Sequence, residues 1–143
     1  DYPKNPYFRE LKGQALLESG KGRRAVPVLK QAVALAPRAP LIRIMYAQAM
    51  LQTNDRALIK PAIGQLKKAL VAERRSAFAY RLLATAYAKS GNQPRAELAS
   101  AQESLVRGNA KQAKRFAKRA IAKFKTGSRD WLIADDILKI RGR

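Results

Sequence analysis

The sequence predicts an all-α protein built from repeated helical hairpins. Small residues recur in two series whose steps are 34 and 37 residues: Gly13, Ala47 and Ala84, and Ala25, Ala62 and Ala96. A small residue at a fixed place lets two helices approach closely, and the larger apolar residues beside it fill the neighbouring grooves. The spacing therefore predicts packing between helices rather than a catalytic site.

A period of about 34 residues is typical of the tetratricopeptide type of helical hairpin. We predict a single domain over residues 1–143: a tetratricopeptide-repeat helical solenoid of about three repeats, with a degenerate half repeat and a C-terminal capping helix. The predicted segments are repeat 1 at about 5–37, repeat 2 at about 40–73, repeat 3 at about 76–107, and the half repeat with its cap at about 109–140.

The first two repeats contain the residue types that begin and end helices. Asn5 opens the first helix and Gly20 closes it. A second helix is predicted at about 23–35, and Pro40 starts a third. Repeat 2 exceeds the ideal length by about three residues, which the spacing places at 55–61. We expect a longer loop or an extended helix start there, ahead of the fourth helix.

The repeat register shortens after repeat 3. The remaining helices are predicted at about 76–90, 94–107, 110–124 and 131–140. Only 17 residues separate Ala96 from Ala113, although Ala113 and Ala120 keep the seven-residue step of the earlier repeats. We infer that the helix at 94–107 serves both as the second helix of repeat 3 and as the first helix of a degenerate fourth repeat. The last helix then covers the end of the stack.

Composition excludes several classes of enzyme. The chain has no cysteine and no histidine, so it lacks thiol nucleophiles, imidazole bases and the common zinc-ligand sets. The adjacent Asp135 and Asp136 point to different sides of a helix, which makes them a poor acid/base pair. We therefore expect no catalytic residue, no metal ligand and no cofactor in this chain. No apolar run approaches the roughly 18 residues that cross a bilayer, and we expect any signal or anchor upstream of Asp1.

The repeat geometry predicts a peptide-binding groove, because the first helix of each tetratricopeptide hairpin lines the concave face. The candidate groove residues are Tyr7, Gln14 and Glu18 from repeat 1, Gln48 and Gln52 from repeat 2, and Arg81, Thr85 and Lys89 from repeat 3. Gln14 and Gln48 occupy equivalent places, where an amide can donate to and accept from an extended peptide backbone. Two other interpretations stay open: ordinary solvated helix surface, or a groove filled by a neighbouring domain or by the last helix.

Charge predicts a second surface. The net charge is +20, from 30 Lys and Arg against 10 Asp and Glu, and no acid lies between Glu103 and Asp130. The candidate anion-binding face consists of Lys111, Lys114, Arg115, Lys118 and Arg119. Such a face attracts phosphates, acidic proteins and anionic lipid surfaces.

The alternative function is therefore a basic helical-repeat module that binds nucleic acid or an anionic membrane surface. No aromatic residue is interleaved with the basic face, and no RNA-binding string occurs, so we expect no specific nucleic-acid binding. A further interpretation is that the basic face only keeps the domain soluble.

Five strings in order carry a resemblance to a known family: NPYFRELKGQALLESG, AVALAP, FAYRLLATAYAKSG, RAELASAQESLVRGNAKQAKRFAKRA and GSRDWLIADDIL. Together they resemble the carboxy-terminal repeat region of BepA-like zinc metallopeptidases, relatives of HtpX. In that family an HExxH catalytic domain precedes the repeats, is exported to the bacterial periplasm and assists quality control during outer-membrane protein assembly.

The resemblance implies a non-catalytic, partner-recruiting domain of a periplasmic zinc metallopeptidase. The chain contains no HExxH segment, so no protease residue carries over, and zinc is expected only in a catalytic domain outside this sequence. Expected partners are proteins or extended peptide segments, with the parent enzyme's own catalytic domain as another candidate.

Overall fold

The computed structural model describes residues 5–141, and in that range the chain is helical with no strand. The α-helices are α1 (Pro6–Glu18), α2 (Gly22–Leu35), α3 (Pro40–Gln52), α4 (Ile59–Ala72), α5 (Ala77–Lys89), α6 (Gln93–Val106), α7 (Ala110–Ile121) and α8 (Arg129–Leu138). Contacts divide the chain after Arg74 into two compact units. The first unit contains α1 to α4 and the second contains α5 to α8. The single domain predicted over 1–143 stays a prediction.

Side-chain caps explain where several helices begin. Asn5 accepts a hydrogen bond from the Tyr7 amide at 3.0 Å, and Ser76 accepts one from the Ala79 amide at 3.1 Å. Asn92, Asn109 and Ser128 cap α6, α7 and α8 in the same way. Each cap satisfies an amide that has no partner within its helix. Side-chain capping therefore begins five of the helices, among them α1, whose start at Asn5 was predicted from the sequence.

The extra length predicted at 55–61 is confirmed as an extended helix start. A short 3-10 turn, Arg56–Leu58, leads directly into α4. The Asp55 carboxylate accepts a hydrogen bond from the Ala57 amide at 3.0 Å and so caps this turn. Asn54 precedes it in the left-handed region with φ of 60°, where asparagine is tolerated better than most residues.

Alanines at the helix crossings hold the first unit together. α2 packs against α1 and α3, and α3 packs against α4. Ala25, Ala47 and Ala62 are fully buried, as the repeat spacing predicts. The large side chains of Leu29 and Leu66 fill the space between the helices and are also fully buried. Small and large residues therefore interdigitate, which allows close helix contact.

In the second unit α6 is the central helix. It packs to the same extent against α5 and α7, and α8 packs against α7 and α6. This agrees with the shared role inferred for the helix at 94–107. The core around α7 consists of Leu98, Ala101, Ala113, Ala117, Ala120, Ala134 and Ile137. An ion pair of 2.9 Å between Arg95 and Asp130 also joins α6 to α8, and this hydrogen bond raises the pKa of the guanidinium.

Two predicted helices in the second unit differ from the structure by a few residues. The helix predicted at 110–124 ends at Ile121, and the last helix, predicted at 131–140, spans Arg129–Leu138. The early start of α8 follows from its cap, because the Ser128 hydroxyl accepts the Trp131 amide at 3.3 Å. Trp131 itself is half-buried, whereas Ala134 and Ile137 are the buried residues of α8.

Two glycines test the packing of the first unit. A Cβ atom added at Gly22 would lie 2.6 Å from the Gln52 Cβ and 3.0 Å from the Ala49 carbonyl oxygen on α3. We expect Gly22→Ala to lower the free energy of unfolding by roughly 1–3 kcal/mol, because α2 and α3 must move apart.

Gly64, inside α4, is the control, since an added Cβ there meets nothing within 4 Å. Gly64→Ala should raise the free energy of unfolding by roughly 0.5–1 kcal/mol. Urea titrations followed by circular dichroism measure both effects, and equal stability of the two variants would contradict the close crossing of α2 and α3.

Candidate functional site

A cleft of about 480 Å³ opens in the second unit between three helices. Its lining residues are Ala84, Thr85 and Ala88 from α5, Gln93, Ala96, Glu97 and Ser100 from α6, and Phe116 and Arg119 from α7. Because α6 packs against both of the other helices, it contributes the base of the cleft and α5 and α7 flank it. Small side chains on α5 and α6 leave the space that the cleft occupies.

An ion pair between α6 and α7 crosses the cleft lining. The Arg119 Nε donates to Glu97 Oε2 at 3.1 Å, and the Gln93 Nε2 donates to the other carboxylate oxygen at 3.5 Å. The Glu97 side chain is 19% exposed, and that of Arg119 is 59% exposed. The carboxylate is thus held in place by two donors, while the guanidinium stays accessible to solvent. The same guanidinium lies 4.9 Å from the centre of the Phe116 ring, within range of a cation–π contact.

The cleft combines an apolar surface with polar groups of both kinds. Ala84, Ala88 and Phe116 contribute apolar area, Arg119 offers donors, and Glu97 offers an acceptor. An extended peptide presents alternating donors and acceptors along its backbone. Glu97 can accept from a peptide N–H group, and Arg119 can donate to a peptide carbonyl. An apolar surface beside positioned donors and acceptors is the chemistry of a binding site.

The predicted groove residues of the first unit lie on α1 and α3, and several already have intramolecular partners. Tyr7 is 63% exposed. The Gln14 amide donates to Glu18 Oε1 at 3.1 Å within α1. The Gln52 amide donates to the Leu17 carbonyl at 3.3 Å and so ties α3 to α1. The remaining residue, Gln48, is half-buried on α3.

The predicted groove residues of the second unit are Arg81, Thr85 and Lys89, all exposed on one face of α5. Thr85 lines the cleft, and its hydroxyl donates to the Arg81 carbonyl at 3.1 Å. The continuous groove predicted from the repeat geometry stays a prediction. The second unit contains a local cleft, and Thr85 is the predicted groove residue that lines it.

The predicted anion-binding face lies on the outer side of α7. Lys111, Arg115, Lys118 and Arg119 are exposed and Lys114 is half-buried. The opposite side of α7 is formed by Ala113, Ala117 and Ala120, which are fully buried. Arg119 differs from the other four cations, because its ion pair with Glu97 makes it part of the cleft. Anion binding by this face stays a prediction.

Most polar cleft residues escaped the sequence analysis. Gln93, Glu97 and Ser100 lie on α6, which the repeat geometry did not assign to a ligand surface. Glu97 is the only acidic residue between Arg74 and Gln102, but no pattern along the chain places a cation beside it.

Residues 5–141 show no group of three or more His, Cys, Asp or Glu side chains placed to hold a metal ion. Over the same residues, no helix has the length and apolar character required to span a bilayer.

Comparisons with known proteins support the repeat fold. Residues 16–57 match a tetratricopeptide-repeat family model. The structure is similar to the crystal structure of MamA, with a TM-score of 0.71 and 20% sequence identity, over 96% of this chain and 77% of that one. No curated protein matches the chain significantly. The fold is therefore all-α and of the tetratricopeptide-repeat type. Such repeats are generally non-catalytic scaffolds, and they suggest a module for protein–protein interaction.

A double-mutant cycle tests the ion pair at the cleft. Glu97→Gln, Arg119→Gln and the double variant should give a coupling free energy of roughly 0.2–1 kcal/mol, as expected for a partly exposed pair. Urea unfolding at low and high ionic strength measures it. The coupling should weaken as salt screens the two charges. A coupling of zero at low salt would contradict a persistent contact between α6 and α7 at this point.

Proposed function

We propose that this chain is a non-catalytic docking domain that recruits or positions other proteins for a periplasmic zinc metallopeptidase during envelope protein quality control. The cleft of the second unit carries the docking part of the proposal. It provides an apolar patch beside a fixed carboxylate and an accessible guanidinium, on a fold that suggests protein binding.

The metallopeptidase context rests on the resemblance of five ordered strings to the repeat region of BepA-like enzymes. These strings fall on α1, on the end of α2, on α5 and on the stretch from α6 to α8, so they include the helices that line the cleft. Under this proposal the HExxH motif and its zinc belong to a separate catalytic domain. This chain then supplies recognition, and the catalytic domain supplies hydrolysis.

The cleft suits an extended segment better than a folded surface. A volume of about 480 Å³ holds a few residues of a peptide rather than a whole helix or sheet. The carboxylate of Glu97 can accept a backbone amide, and the exposed Arg119 can donate to a carbonyl of the same segment. A loop of the parent enzyme's catalytic domain and a segment of a client protein both meet this description.

Filling the cleft tests docking. Ala88 lies in the cleft lining on the exposed side of α5, where a longer side chain leaves the core unchanged. We expect Ala88→Arg to reduce capture of partner proteins from periplasmic extract at least tenfold, which corresponds to about 1.4 kcal/mol of binding free energy. Affinity capture followed by quantitative mass spectrometry measures the loss.

Ala34→Arg is the matched control, because Ala34 is exposed on α2 and the change adds the same side chain and charge. This variant should capture the same proteins as the parent domain. If Ala88→Arg also retains them while its circular dichroism spectrum stays unchanged, the cleft is not the docking site.

The metallopeptidase context has an independent test. Antibodies against this domain should isolate a native polypeptide that carries an HExxH segment ahead of Asp1 and binds about one zinc ion per chain through the two histidines of that motif and a further ligand. Peptide sequencing and metal analysis of the isolated protein measure both properties. A native polypeptide without HExxH would refute this context and leave the docking function of the cleft standing.

A further inference from the structure

We propose that the outer side of α7 docks onto a bilayer that contains anionic phospholipid. We call this surface the α7 cationic face. It consists of the cations of α7 that lie outside the cleft and of two more in the turn that follows the helix: Lys111, Lys114, Arg115, Lys118, Lys123 and Lys125.

The α7 cationic face is costly for the helix that carries it. Lys111 and Arg115, like Lys114 and Lys118, are like-charged residues one turn apart, where they repel each other. Lys111 also lies in the first turn, which contains no acidic residue, near the positive end of the helix dipole. Cations in this arrangement weaken an isolated helix. Groups of residues that destabilise their own helix are expected at functional sites. Here a negatively charged partner would remove the repulsion between the cations.

The acidic residues of the second unit do not neutralise the face. The salt bridges described in this unit join Glu97 to Arg119, Glu103 to Arg107, Asp130 to Arg95 and Asp135 to Lys139. None of their cations belongs to the α7 cationic face. Four of the five acids in this unit therefore pair with cations outside the face, which keeps a concentrated positive charge that attracts anions.

The composition of the face favours a diffuse anionic surface over a specific anionic site. Five of its six cations are lysines, which act as flexible point charges, whereas the planar fork of arginine suits bidentate contacts to a carboxylate or phosphate. In the same unit, arginines form three of the four salt bridges. A bilayer offers mobile headgroups that need no fixed geometry, and clusters of four to eight cations are typical of anionic lipid binding.

Single-stranded nucleic acid fits the face less well. Base stacking needs an exposed aromatic ring, but Phe116 packs against the core and the Arg119 guanidinium lies over it. The apolar side of α7 is closed as well, because Ala113, Ala117 and Ala120 are fully buried. Contact with a bilayer is therefore electrostatic, at the level of the headgroups, and does not require the helix to insert.

Vesicle sedimentation tests the proposal. The parent chain should bind vesicles of phosphatidylcholine with about one third phosphatidylglycerol at low salt and should not bind pure phosphatidylcholine. Lys111→Gln, Arg115→Gln and Lys118→Gln together should lower the partition coefficient roughly 100-fold, since each cation near an anionic surface contributes about fivefold. The binding of the parent chain should also fall steeply as salt rises.

The matched control removes the same three charges elsewhere. Lys30, Lys60 and Lys67 are exposed on α2 and α4, and their replacement by Gln preserves helix propensity. We expect this control to lose far less binding than the α7 variant. Equal losses in the two variants would show that net charge alone drives binding and would overturn the proposal.

Two further measurements keep the result decisive. The α7 variant should melt at the same temperature as the parent chain or higher, because it removes like-charge repulsion. A lower melting temperature would make the three cations structural and overturn the proposal.

Duplex or single-stranded DNA, measured at matched ionic strength, should bind less tightly than the anionic vesicles. Tighter binding to DNA would assign the face to nucleic acid instead.

Discussion

Close contact between helices at alanine is the constraint on which both units depend. About half of the buried hydrophobic residues are alanines, and Ala25, Ala47 and Ala62 at the repeat positions have no solvent exposure. A methyl side chain brings two helix backbones near each other, so the larger residues beside it, such as Leu29 and Leu66, interdigitate fully. The same requirement continues in the second unit, where Ala113, Ala117 and Ala120 bring α7 against α6. The positions of the helices, and hence of every surface side chain, follow from these crossings.

The central position of α6 links the fold to the candidate site. Because one helix packs against both α5 and α7, side chains from all three helices converge on one opening. Small residues on α5 and α6 serve two purposes there, since they permit close packing below and leave free volume above. The ion pair between Glu97 and Arg119 then fixes polar groups at the edge of that volume. A packing solution for the helices thus also generates the binding surface.

The helices could be read from the sequence because their signals are local or periodic. The cap at Asn5 and the 34-residue spacing depend only on neighbours along the chain or on a repeated step. The cleft could not be read in this way, because Glu97 and Arg119 are 22 residues apart and meet only through the packing of α6 on α7. Thr85 was predicted because it lies on a first helix, whereas Ser100 lies on α6, a second helix that the repeat geometry does not place at a ligand surface. Sequence register locates helices, but the meeting of side chains depends on how far each helix is rotated about its axis.

The alanine-rich interior also affects how stability responds to temperature. A methyl side chain has no rotamers to lose, so burying it costs almost no side-chain entropy, yet it removes little apolar area from water. The heat capacity change of unfolding grows with the apolar area that becomes exposed. A protein whose crossings are made of alanine, with Leu29, Met50 and Leu66 as its largest fully buried side chains, therefore exposes little such area per residue when it unfolds. Its free energy of unfolding consequently changes with temperature along a flatter curve than that of a domain with a leucine-rich or aromatic core.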